Sequence, residues 1–165
     1  MTDKKELPYR RRNRLKFHNY SEHREYYITF CTHKRKRIFS SHSVSNIAIT
    51  NAKQTCLECQ IDLIAYCIMP DHIHLLLMPA GEASVSEFAR RYKARVTQEL
   101  RKLNLSGDIW QRSFFDHVVR KDKHVNEIAR YILLNPVRRG IVDHIDEYPY
   151  SGDSLDIKKA NTRAE

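Results

Sequence analysis

The chain has 165 residues, 41% of them apolar, which is enough for one compact domain with a buried core. Its 29 Lys and Arg against 20 Asp and Glu leave a net charge of +9, so an anionic partner is expected. No apolar run approaches the roughly 18 residues of a membrane span, and no signal-type stretch follows Lys4, Lys5 and Arg10, so the sequence predicts a soluble, cytoplasmic protein with no membrane partner.

Positive charge is concentrated at the start, where residues 1–41 hold twelve basic and four acidic residues. In Tyr9-Arg10-Arg11-Arg12-Asn13-Arg14-Leu15-Lys16-Phe17 the charges alternate with rings, a mixture that suits phosphate contact and base stacking. A solvated, disordered arm is the alternative reading of residues 1–8. Residues 1–23 are accordingly set apart as a basic arm, with the folded domain expected over 24–150.

Tyr26-Tyr27-Ile28-Thr29-Phe30-Cys31 is aromatic and β-branched and predicts a strand that enters the basic turn Lys34-Arg35-Lys36-Arg37. Val44, Ile47, Ala48, Ala52 and Cys56 recur at three- and four-residue spacings, which predicts a helix from Val44 to Cys59 with Ser43 as its cap. Ile61 to Ile68 and His72 to Met78 read as neighbouring antiparallel strands joined by Met69-Pro70-Asp71. A second helix is expected over Ser84 to Leu103, with Val85, Phe88, Tyr92, Val96 and Leu100 inward. Arg90, Arg91, Lys93, Arg95, Arg101 and Lys102 lie largely elsewhere on it. Trp110 to Arg120 predicts a strand, and Lys123 to Leu134 a third helix closed by Pro136. Gly140 to Val142 and Tyr148 to Tyr150 should pack back on the domain, and 151–165 should form a flexible tail. This order of elements predicts an α+β domain, a ferredoxin-like antiparallel sheet with helices on one face.

Chemistry concentrates in two places. His72-Ile73-His74 sets two imidazoles two residues apart, so on a strand both point to one face and can reach one ion; a polar surface pair is the alternative. The apolar run Leu75 to Met78 argues that the strand is buried, where a histidine needs a partner or a ligand. Tyr131 and Asn135 stand four apart on a helix and share a face, either as a reactive pair or as a core ring beside a C-terminal cap. Cys31, Cys56, Cys59 and Cys67 read as reduced thiols. Cys56 and Cys59 are spaced for zinc, but no second pair completes a tetrahedral site unless histidines serve. The four glycines are scattered, so a Gly-rich phosphate loop is absent.

Three ordered segments then stand out: Met69-Pro70-Asp71-His72-Ile73-His74-Leu75-Leu76-Leu77, Trp110-Gln111-Arg112-Ser113-Phe114-Phe115-Asp116-His117, and Tyr131-Ile132-Leu133-Leu134-Asn135-Pro136-Val137-Arg138-Arg139-Gly140. Together they resemble the single-tyrosine HUH transposases, and within that group the REP-associated tyrosine transposases of bacteria. The resemblance implies that His72 and His74 are a metal pair, that Tyr131 is the nucleophile, and that Asn135 completes the metal site, where insertion-sequence relatives often carry glutamine. It implies a divalent metal, Mg²⁺ or Mn²⁺, and cleavage of single-stranded DNA through a 5′-phosphotyrosine link. The implied partner is a short DNA hairpin. Arg10, Arg11, Arg12 and Arg14 are candidates to read it, Lys93 and Arg112 further candidates for the same surface, and His117 a supporting group for Tyr131. A DNA-binding regulator of the same fold is the alternative function, and the resemblance leaves both a monomer and a homodimer open.

Overall fold

The computed structural model describes residues 24–119 and 125–162; Arg10, Arg11, Arg12, Arg14 and Lys123 lie outside the described residues. Five strands form one sheet: β1 (Tyr26–Cys31), β2 (Ile61–Met69), β3 (His72–Pro79), β4 (Phe115–Val118) and β5 (Ser151–Asp153). Their order is β4-β1-β3-β2-β5, and every neighbouring pair is antiparallel. With α1 (His42–Cys59) and α2 (Val85–Lys102), the first four strands make the βαββαβ arrangement of a ferredoxin-like domain. The remaining helices are α3 (Val125–Leu133), the single turn α4 (Asn135–Arg138) and α5 (Ile157–Thr162).

The alternation of β3 divides the core in two. Ile73, Leu75 and Leu77 face a cluster with Phe88, Tyr92 and Val96 of α2 and Val44, Ala48 and Ala52 of α1. Leu76 faces the other way and packs with Ile64, Ala65 and Cys67 of β2 and Ala129 and Ile132 of α3. Both faces are therefore covered, which explains the unbroken run Leu75-Leu76-Leu77, three side chains with no exposure at all. Each removes enough apolar surface from water to contribute about 1.5–3 kcal/mol.

The α+β antiparallel design agrees with expectation, and α1 and α2 do share one face. The third helix does not join them. It covers the opposite face because His72, His74 and Leu76 need shelter there as much as Leu75 needs it on the first.

Element ends differ in instructive ways. Ser41, not Ser43, caps α1, its Oγ accepting from the Val44 amide at 3.4 Å. Just upstream, the amide of buried Phe39 donates to the Pro70 carbonyl and anchors the chain where Ser41 is extended. The strand expected over 110–120 shrinks to Phe115–Val118. Its first residues are held by α2 instead, with Lys93 Nζ donating to the Gln111 and Ser113 carbonyls and Trp110 Nε1 to Lys93 O and Thr97 Oγ1. Pro136 both ends α3 and starts α4, since its ring suits the first turn of a helix.

The flexible tail expected over 151–165 is corrected across its described residues, 151–162. Ser151–Asp153 pairs with Ala65–Cys67 of β2, and α5 follows. The Asp153 carboxylate accepts from the amides of Leu155, Ile157 and Lys158, while Lys158 Nζ donates to the Tyr148 and Ser151 carbonyls. Composition hid this segment because its anchors are polar rather than apolar.

Candidate active site

A tight hairpin over Pro70 and Asp71 starts β3, and the strand's alternation then sets His72, His74 and Leu76 on the α3 face. The two imidazole centroids lie 4.6 Å apart. Both rings are buried, and each has its Nδ1 engaged by the protein. Asp71 Oδ1 accepts from His72 Nδ1 at 2.5 Å. His74 Nδ1 shares hydrogen bonds with Tyr27 Oη at 2.8 Å and Thr29 Oγ1 at 2.9 Å, a consequence of the register that sets Thr29 opposite His74. Nε2 is the nitrogen left on each ring.

Electrostatics keep the pair neutral. Burial pushes His74 down to about 3, assisted by His72 and by the guanidinium groups of Arg139 and Arg35. Burial lowers His72 as well, against the opposing pull of Asp71. Burial also opposes ionisation of Asp71, yet the bond from His72 and the charge of Arg35 hold its carboxyl below the usual range. Neutral imidazole is the form that binds a metal.

Helix α3 supplies the second half. Ala129 and Ile132 are wholly buried against the sheet, which turns Tyr131 outward with 44% of its surface exposed. Its ring meets Tyr27 edge-on at 6.2 Å, and Tyr27 in turn lies 5.5 Å from His74. The Arg138 guanidinium sits over the Tyr131 ring at 4.5 Å. Asn135 is buried, and its Nδ2 donates to the Tyr131 and Ile132 carbonyls at 3.0 and 3.2 Å, closing the end of α3. The cap and the helical neighbour are thus the same residue, and the amide oxygen is the atom it has left to offer.

His117 joins the site through register, because β1 and β4 pair Tyr27 with His117. Tyr27, His117, Glu127, Ile128 and Tyr131 line one cleft of about 440 Å³. Sequence spacing had no access to this neighbourhood. Nor did it single out Tyr27, which bridges the histidine pair to Tyr131; only the strand register assigns it that place.

The family of IS200-like transposases matches residues 20–135. The chain belongs to that family. It is 27% identical over 149 residues to the REP-associated tyrosine transposase of Escherichia coli K12, covering 84% of this chain and 86% of the relative. A Haemophilus influenzae protein provisionally named REP-associated tyrosine transposase is 29% identical over 144 residues, covering 81% of each. A solved REP-associated tyrosine transposase bound to a REP hairpin superposes with a TM-score of 0.71 at 20% identity, covering 96% of this chain and 87% of that one. The resemblance read from the motifs agrees with these names.

In this transposase the remaining candidates lie apart from the histidine pair. Lys93 spans to the 110–114 loop as described and sits over the Phe30 ring at 5.2 Å, on the α1–α2 side of the sheet. Arg112 shares a cleft there with Ser86, Arg90 and Ser113. Any DNA touching these two would do so away from Tyr131. Cys56 and Cys59 are both buried in α1, and burial pushes the Cys56 thiol up to about 12, far from the thiolate that zinc requires. Among the described residues, no group of three His, Cys, Asp or Glu side chains is placed to hold a metal, and no helix is long and apolar enough to cross a membrane.

Proposed function

We propose that this transposase is a metal-dependent single-stranded DNA endonuclease and strand transferase that uses Tyr131 as nucleophile at hairpin DNA. One observation carries the reading: an exposed tyrosine is linked through Tyr27 to two buried, neutral histidines whose Nδ1 atoms are already engaged. Fixing Nδ1 in this way is how proteins orient an imidazole to present Nε2 to a metal. His72 Nε2, His74 Nε2 and Asn135 Oδ1 are the atoms that would hold Mg²⁺ or Mn²⁺. Such an ion supplies positive charge to the scissile phosphate, as a Lewis acid.

The chemistry of the chain's own residues follows. The Tyr131 oxygen forms a bond to phosphorus, the bond from phosphorus to the 3′ oxygen breaks, and its electron pair leaves on that oxygen, which takes up a proton. The phenolic proton passes to solvent or to a neighbouring base, and His117 lines the cleft where such a base is useful. One phosphodiester is exchanged for another, so a 3′-hydroxyl can later reverse the step without ATP. The hairpin partner is supported by the relative solved with a REP hairpin. The basic arm, with Arg10, Arg11, Arg12 and Arg14, is the segment proposed to read it.

The test is incubation of labelled single-stranded hairpins with Mn²⁺ or Mg²⁺ and separation on a denaturing gel. A protein-linked DNA band in the wild type that vanishes in Tyr131→Phe and His72→Ala is expected. Hairpin binding with no covalent band would replace this reading by that of a DNA-binding regulator.

A further inference from the structure

A second cleft opens at the hairpin end of β3, and its chemistry is unlike that around Tyr131. Arg35, Arg37, Met69, Asp71, His72 and Arg139 are among the residues lining about 300 Å³. Three guanidinium groups thus share a small space with one carboxylate. Only Arg35 reaches that carboxylate, at 3.5 Å, while the other Asp71 oxygen is taken by His72. Among the described residues, the guanidinium groups of Arg37 and Arg139 have no hydrogen-bond or ion-pair partner; only their backbone atoms are bonded, Arg37 O by Ser40 Oγ and Arg139 N to Asn135 O. Both are exposed.

Segments distant in sequence build this cleft, and both are shaped backbone. Lys34 and Arg35 hold φ of 52° and 54°, a left-handed pair in side-chain-bearing residues, with Thr32 Oγ1 bonded to the Lys36 and Asp71 carbonyls beneath them. On the far side, Arg139 ends α4 just before Gly140, whose φ is 64°. With Arg35 paired to Asp71, the two remaining arginines that line the cleft leave a concentration of positive charge that an anion would relieve. The planar guanidinium fork matches the oxygens of a phosphate.

Position along β3 gives the cleft its meaning. Tyr27 and Tyr131 are reached from His74, whereas the arginines are reached from His72, nearer the turn. A strand crossing the histidine pair from Tyr131 would run into the arginines next. We propose that this cleft holds one backbone phosphate of the DNA strand, a neighbour of the phosphate that Tyr131 attacks, and so fixes how the strand lies across the histidines. The proposal rests on the nuclease reading above for its orientation, but not for its test.

The full chain is titrated in EDTA against labelled oligothymidylate over a salt series, with Arg37→Gln, Arg139→Gln, the double variant, and Lys53→Gln on α1 as control. The double variant is expected to flatten the plot of log affinity against log salt by about 0.7, the release from one phosphate of a single strand, and to weaken binding on the order of fivefold near ~0.1 M salt. Each single variant gives part of this effect and Lys53→Gln none. Melting curves of the variants should match the wild type, since both arginines are exposed. A double-variant slope equal to that of Lys53→Gln overturns the proposal, and so does a change near twice the expected size, which would mean two phosphates rather than a shared one. Because no metal is present, the outcomes separate. Expected slopes without a covalent hairpin band defeat the nuclease reading alone, and a covalent band with unchanged slopes defeats the cleft alone.

Discussion

As the proposed nucleophile, Tyr131 would have to reach a phosphodiester and yet stay in one place, and those demands conflict for a side chain on the outer face of a helix. Ile132 and Ala129 fix the helix from below, and the ring is steadied from its sides by Tyr27 and Arg138. The Arg138 contact also brings a permanent cation near the phenol. A cation over an exposed ring contributes about 0.5–1 kcal/mol. Arg138→Gln is therefore expected to slow single-turnover cleavage roughly two- to fivefold, by the conversion of about 1.4 kcal/mol per tenfold. Arg138→Lys should recover part of the loss, and hairpin affinity should change less than rate. Quenched-flow cleavage of a labelled hairpin alongside an anisotropy titration measures both. Equal losses in the two would mean that Arg138 acts on DNA rather than on the tyrosine.

At the level of elements, β3 is the organising strand. It has sheet neighbours on both sides and helices on both faces, so a polar pair placed on it must be satisfied by β1 or by its own turn, as Tyr27, Thr29 and Asp71 do. At the sheet edge, β5 and α5 protect β2. Removing residues 151–165 would strip β2 of its partner on the β5 side, expose Ala65 and Cys67, and delete the Lys158 ammonium that bonds Tyr148 O, Ser151 O and Ser151 Oγ. Each lost hydrogen bond is worth about 0.5–1.5 kcal/mol net, and a domain of this size shifts by roughly 2–4 °C per kcal/mol. A chain ending at residue 150 is thus expected to melt about 5–10 °C lower in a calorimetric scan. An unchanged melting temperature would return this segment to the status of a loose tail.

For the whole molecule, the question is whether one chain builds one site. Here α3 packs on the sheet of its own chain, and Tyr131 stands beside the Tyr27 that bonds the same chain's His74. A mixture of Tyr131→Phe and His72→Ala proteins is therefore expected to remain inactive in the hairpin cleavage assay, since neither chain holds a complete site. Restored cleavage would show that α3 is exchanged between two chains. What the sequence determined by itself is everything with a local cause. Side-chain periodicity set β1, β2, β3 and the two long helices nearly to their ends, and the alternation of His72 and His74 put both rings on one face. The short motifs picked out Tyr131 and Asn135 as candidates. Tertiary structure decided the rest, because register and face are relations between segments far apart in the chain. Only pairing of β1 with β3 and β4 could bring Tyr27, Thr29 and His117 to the histidines and the tyrosine, and only packing could send α3 to the uncovered face. The same holds for the cleft of Arg35, Arg37 and Arg139, where charges a hundred residues apart meet without any pattern in sequence to announce it.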